Sequence, residues 1–184
     1  MHHYIELHVL PDAEMPTTFL INAAYTKIHK ELHNLNSKNI GISFPNYKIL
    51  LGNLIRIHGE DENIKHFVDN NWLGGLSGYC KISKVLETPS DTKHRTVSRW
   101  RSNMSESHFR RLLKRGSANE NDYLEYKTKM SEAQKTKLPY LELLSTSTGN
   151  RYRRYIKFGE LLNEPVKGKF DHFGLSKTAT IPWF

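Results

Sequence analysis

Cysteine is almost absent from this sequence. Cys80 stands alone, which excludes an internal disulfide framework and any zinc site built on several thiolates. Long apolar runs are missing as well, since none approaches the ~20 residues that span a bilayer. The opening Met1-His2-His3-Tyr4-Ile5-Glu6 lacks the basic-then-apolar pattern of a secretory signal. There is no phosphate-binding loop of nucleotide hydrolases, no dinucleotide glycine fingerprint, no repeat and no low-complexity tract. The expectation is a soluble, cytoplasmic protein with no membrane association and no small-molecule cofactor.

What is present is charge of one sign, unevenly spread. The 184 residues carry 27 Lys and Arg against 19 Asp and Glu, a net of +8, and 20 aromatic side chains argue against a disordered basic tail. Residues 93–157 alone hold 16 Lys and Arg against six acids, a net of +10, while the rest of the chain holds 11 against 13. Cations segregated in this way and interleaved with Trp100, Phe109, Tyr152 and Tyr155 are the footprint expected for a nucleic-acid partner. A solvated basic face is the plainer alternative. An anionic membrane fits less well, because the stretch lacks a long amphipathic helix with bulky apolar anchors.

The hydrophobic pattern divides the chain in two. Ile5, Leu7 and Val9 alternate with polar neighbours and predict a strand that ends at Pro11. Leu20, Ala24, Ile28, Leu32 and Leu35 fall on one side of a helix. Strands are predicted at 40–44 and 54–58, then a short helix carrying Ile64, Phe67 and Val68, then an extended segment at 79–85. The order is β-α-β-β-α-β, which predicts an α+β protein whose residues 1–88 form a ferredoxin-like (RRM-like) lobe. Residues 89–184 are expected to form a smaller α+β lobe that binds RNA. It holds a helix capped by Ser105 or Ser107, ended by Gly116, with Arg110, Arg111, Lys114 and Arg115 on one face and Leu112 and Leu113 anchoring the other. A polar helix at 120–135 and a hairpin of 138–145 with 151–158 follow.

Histidine supplies the candidate chemistry. His29 and His33, four apart on the first helix, could share a metal, but no third ligand is evident and no metal site is expected. His29 borders the apolar stripe, where an imidazole can reach a cleft and exist in either protonation state near neutrality. RNA carries its own nucleophile, the 2′-hydroxyl. A protein that cleaves it need only orient that group, accept its proton and stabilise the charged phosphorus. One histidine, a serine and cations suffice. The cationic helix has two readings, a solvated face or a phosphate-binding one in which arginine forks also read guanine edges.

Several segments, in this order, resemble the CRISPR repeat-processing endoribonuclease of type I-F systems: His3-Tyr4, Leu10-Pro11-Asp12, Lys27-Ile28-His29, Ile40 to Pro45, Val97-Ser98-Arg99, Arg110 to Arg115, Ser145 to Gly149, Gly174-Leu175-Ser176 and Pro182-Trp183-Phe184. The resemblance implies metal-independent cleavage of precursor CRISPR RNA at the 3′ base of the repeat stem-loop. The products are a 2′,3′-cyclic phosphate and a 5′-hydroxyl, and the protein is retained on the mature RNA with other subunits of the type I-F surveillance complex. By the same resemblance His29 is the catalytic histidine and Ser145 positions the 2′-hydroxyl. Ser147 and Thr148 contact substrate, Tyr152 packs on a base near the cut, Arg99 reads a guanine at the stem base, and Arg110, Arg111, Lys114 and Arg115 line the stem's major groove. The chain departs from the family at three positions. Phe173 stands where a tyrosine can occur before Gly-Leu-Ser, so no hydroxyl is available there. Arg101 stands where glutamine can occur, which changes the base pair expected beside the guanine. Lys114 replaces an arginine and loses the bidentate fork. From another class, a non-catalytic hairpin-binding scaffold would also explain Phe173; a general DNA-binding protein fits the charge but leaves His29 and the Ser145 loop unexplained.

Overall fold

The computed structural model describes residues 1–134, 136–145 and 148–184. It has a mixed α+β architecture with antiparallel sheets, and two compact units: Met1–Arg99 with Pro139–Phe184, and Trp100–Leu138.

The first unit begins with β1 (His3–Val9), α1 (Thr17–Asn34), β2 (Gly41–Ser43), β3 (Leu54–Gly59), α2 (Asp61–Val68) and β4 (Cys80–Ile82). The strands pair in the order β2-β3-β1-β4, each pair antiparallel. Register sets Ile5 opposite Ile57 and Leu7 opposite Ile55. These side chains join Leu20, Ile28, Ile64 and Phe67 in one apolar core. Burial of that face, not intrinsic propensity, is what holds helices of this length in place. Of the segment expected at 79–85 only residues 80–82 are regular strand: a 3-10 turn over 74–79 runs up to β4, and residues 83–85 leave it without regular structure.

The other face of β3 carries Arg56 and His58, yet both are buried. The last residue covers them. Arg56 donates to the Phe184 main-chain oxygen (2.7 Å) and to Glu6 (2.8 and 3.0 Å), and its guanidinium lies 4.0 Å from the centre of the Phe184 ring.

Beyond β4 come β5 (Leu86–Glu87), which also pairs with β1, then β6 (Lys93–Arg95) and β7 (Val97–Trp100). β8 (Tyr140–Leu144) and β9 (Arg151–Phe158) form the expected hairpin, with β7 on the other side of β9. β10 (Ile181–Trp183) pairs with β6. The compact units therefore differ from the 88/89 division read from sequence. Ile42 donates a main-chain hydrogen bond to Gly174, Phe170 to Lys38 and Ser176 to Val97, so the tail is built into the first unit rather than into a separate lobe.

In the second unit, α3 (Glu106–Lys114) is capped by the Ser105 hydroxyl, which accepts from the His108 N–H, and the chain turns out at Gly116 with φ +69°. α4 (Tyr123–Gln134) follows. The anchor of α3 is not Leu112 and Leu113, which are only half-buried, but Phe109, 3% exposed and packed on Tyr126 (4.7 Å between ring centres) and Tyr123 (5.3 Å). An aromatic ring buries more apolar area than either leucine, and here it faces two further rings.

Candidate active site

His29 follows the buried Ile28 on α1 and lies one turn after the buried Tyr25, so its ring emerges half-buried at the margin of the core. Its Nδ1 is 2.8 Å from the main-chain oxygen of His172. A carbonyl only accepts, so Nδ1 carries the proton, and in the neutral ring the lone pair belongs to Nε2. Burial pulls the imidazole below its ordinary pKa, the hydrogen bond to His172 opposes this, and the Arg154 guanidinium lowers it further; the net shift is downward. The ring is therefore a neutral acceptor at physiological pH.

The tail fixes that geometry. Asp171 accepts main-chain hydrogen bonds from Phe173 (2.9 Å) and Leu175 (3.0 Å), and Tyr25, fully buried, donates its hydroxyl to the Phe173 oxygen (2.7 Å). Burial pushes the Tyr25 phenol up, so it remains a donor. Gly174 turns with φ +67°, and a Cβ there would meet Ile42 at 2.3 Å, so this corner requires glycine. Thus pinned, Phe173 stacks on His29 with ring centres 3.6 Å apart and planes 10° from parallel.

Ser145 arrives from β8. Asn22 of α1 accepts from the Glu142 N–H (3.1 Å), holding the helix of His29 against the strand that leads to Ser145. The Ser145 oxygen accepts from the Thr148 N–H (3.3 Å), and its main chain closes the turn through Asn150 and Gly149. His29, Ser145 and Tyr152 line one cleft of about 290 Å³ with Lys30 and His33. A contiguous opening of about 360 Å³ shares Ser145 and Tyr152 and adds Arg99, Thr148 and Arg154. A larger cavity of about 580 Å³, between residues such as Met1, Glu60 and Val166, contains none of the predicted residues.

Six of the sequence-predicted residues can thus be located within the first unit. His29, Ser145, Thr148, Tyr152 and Arg99 line the two joined clefts, and Phe173 backs the imidazole. Ser147 lies outside the described residues. Arg101, Arg110, Arg111, Lys114 and Arg115 belong to the second unit, where all five are exposed. His33 lies 6.5 Å from His29 between ring centres, and among the described residues no three His, Cys, Asp or Glu side chains gather as a metal site. Nor is any helix long and apolar enough, among those residues, to cross a membrane.

One residue at this site escaped the sequence reading. Arg154 is 4% exposed, and its guanidinium lies 3.4 Å from the Phe173 ring centre. The signal was the register of β9, in which Tyr152, Arg154 and Ile156 point the same way, so a cation holds a position patterned for an apolar side chain.

A family model described as CRISPR-associated protein (Cas_Csy4) matches residues 4–184. A protein of Escherichia coli (strain UTI89 / UPEC) named CRISPR-associated endonuclease Cas6/Csy4 is 37% identical over 185 residues, covering all of both chains. A protein of the same name from Pseudomonas aeruginosa (strain UCBPP-PA14) is 30% identical over 187 residues, again covering both in full. A solved structure described as an RAMP protein binding different RNA substrates is 12% identical, covers 98% of this chain and 100% of its own, and has a TM-score of 0.34.

Proposed function

The chain belongs to the Cas_Csy4 family of CRISPR-associated proteins, and on that premise we propose that it is a metal-independent endoribonuclease that cuts precursor CRISPR RNA at the 3′ base of the repeat stem-loop. It acts in the cytoplasm and stays on the mature RNA with other subunits of the type I-F surveillance complex. The observation that carries the reading is the hydrogen bond from His29 Nδ1 to the His172 oxygen, in a cleft that Ser145 also lines. It leaves a neutral Nε2 as the acceptor that a 2′-hydroxyl needs.

In this reading Ser145 orients the 2′-hydroxyl and His29 Nε2 takes its proton. The 2′-oxygen bonds to phosphorus as the bond to the 5′-oxygen breaks, and the departing 5′-oxygen takes a proton from the imidazolium or from water. The products are a 2′,3′-cyclic phosphate and a 5′-hydroxyl, and no water is consumed. Tyr152 stacks on a base beside the cut, with Phe173 behind the imidazole. Arg99, and Arg101 one pair further, read the stem base; Ser147 and Thr148 hold the backbone there. Arg110, Arg111, Lys114 and Arg115, one capped and exposed cationic face, dock along the stem. The β-α-β-β-α-β order and the sheet order β2-β3-β1-β4 support a ferredoxin-like, RRM-like first lobe, with residues 89–184 supplying most of the RNA contacts.

Product-end analysis tests this. Repeat RNA incubated with the protein in EDTA is expected to yield one cut, at the 3′ base of the stem, with a cyclic phosphate on the upstream fragment. Intact RNA that the protein nonetheless binds would instead identify a hairpin-binding scaffold, and 5′-phosphate ends would overturn the 2′-hydroxyl mechanism.

A further inference from the structure

Arg154 is an anomaly of composition. On β9 it stands opposite the buried Leu141 and shares a face with the half-buried Tyr152 and the buried Ile156, an apolar setting. A guanidinium removed from water is tolerated when a carboxylate or several acceptors surround it. Among the described residues Arg154 forms no ion pair, and its buried Nε has no hydrogen-bond partner. What it does have is aromatic faces, Phe173 at 3.4 Å and Tyr152 at 5.9 Å from Cζ, which attract a cation but satisfy none of its N–H donors. A residue retained for the fold would carry its partner with it.

Its surroundings indicate what partner is missing. Two groups cannot both sit within 3.6 Å of the centre of one ring on the same face without overlapping, so His29 and Arg154 take opposite faces of Phe173. They are thereby held two stacking distances apart. A ribonucleotide spans such a gap between its 2′-hydroxyl and the non-bridging oxygens of the adjacent phosphate, with a hydrogen bond at either end. The clefts served by the two side chains join at Ser145 and Tyr152, and the Arg154 side also contains Arg99 and Thr148. Two oxygens of one phosphate match the fork of a guanidinium and supply the acceptors this one lacks.

We propose that Arg154 binds the scissile phosphate and offsets the negative charge that builds on its non-bridging oxygens as the 2′-oxygen attacks. It is then a catalytic residue in addition to His29 and Ser145, and the inference rests on the endoribonuclease reading. Charge stabilisation of this kind, fixed before the substrate arrives and shielded from water, acts more strongly than the same cation in solvent.

The test uses the full chain and a repeat hairpin with a 2′-deoxynucleotide at the 3′ base of the stem, so that it binds uncut. One version carries the ordinary phosphate there and the other an uncharged methylphosphonate. The parent is expected to prefer the phosphate at least 10-fold; R154M is expected to bind both alike, and R154K to retain part of the preference. With cleavable RNA, single-turnover cutting by R154M falls roughly 100- to 1000-fold. Because methionine suits the apolar setting, R154M should also unfold at or above the parental temperature. A preference as strong in R154M as in the parent, parental cutting by R154M, or a lowered unfolding temperature that marks Arg154 as structural would each overturn the proposal. These outcomes leave the nuclease reading intact, whereas a parent that binds but never cuts would remove that reading, while the phosphate comparison would still report whether Arg154 contacts the phosphate.

Discussion

The imidazole of His29 lies flat on the Phe173 ring, 3.6 Å between centres, while its Nδ1 is tied to the carbonyl of the residue before, His172. Stack and hydrogen bond together leave the ring one orientation and one tautomer. The tail segment is therefore part of the acceptor's geometry.

That relationship assigns Phe173 a positioning role that needs no hydroxyl. Phe173→Tyr keeps the flat contact and is expected to cut at close to the parental rate. Phe173→Ala frees the imidazole and is expected to lose roughly 10- to 100-fold in single-turnover rate, with hairpin affinity little changed. A large acceleration in Phe173→Tyr would show that a phenol belongs in the reaction.

The pH profile follows from the charges around the ring. Burial lowers the His29 pKa, Arg154 and His33 lower it too, and Asp171 and the His172 carbonyl raise it, with a net downward shift. A base with a lowered pKa stays neutral, and active, to lower pH. Single-turnover cleavage is expected to be flat above about pH 6.5, the ordinary histidine value, and to fall tenfold per unit only on the acid side of it. An acid limb centred above 7 would contradict the assignment.

Much of this was legible in the sequence, and the rest fails for identifiable reasons. Alternation in β1 and the stripe on α1 mark the core because one face of each is buried, and the capped cationic helix announces itself through Ser105 and Gly116. The Phe173 stack was not legible, because it depends on a turn at Gly174 that brings residues 143 or more positions apart into contact. Arg154 counted as one more cation in a basic stretch, and only the register of β9 turns it inward. Nor does periodicity reveal that residues 139–184 rejoin the first unit, since tail pairing is long-range.

The exposed face of α3 offers a separable binding measurement. Arg110→Ala and Arg111→Ala are each expected to weaken hairpin binding at moderate salt and to flatten the dependence of log K on log salt by somewhat under one unit per lost phosphate contact. At saturating protein the cutting rate should hold. A fall in rate with unchanged affinity would assign the helix a part in catalysis.

His58 makes a stability prediction independent of function. It is fully buried, bonded to Ser43 (2.8 Å), and burial holds its pKa down to about 3. The unfolded chain binds a proton near pH 6.5 that the folded chain refuses until about 3, so stability is lost as pH falls through that window, approaching 1.4 kcal/mol per unit for this one group. His58→Gln, which can still bond Ser43, should flatten denaturant-measured stability between pH 6 and 5 by about that slope. Parallel curves for parent and variant would show that His58 is not the source.

The central claim is that one imidazole moves the proton while other residues hold the RNA. Its most direct measurement pairs hairpin affinity with single-turnover cleavage for His29→Ala. The account predicts a dissociation constant within about threefold of the parent and a cutting rate down by 100-fold or more. A variant that cuts repeat RNA at the parental rate would contradict it outright.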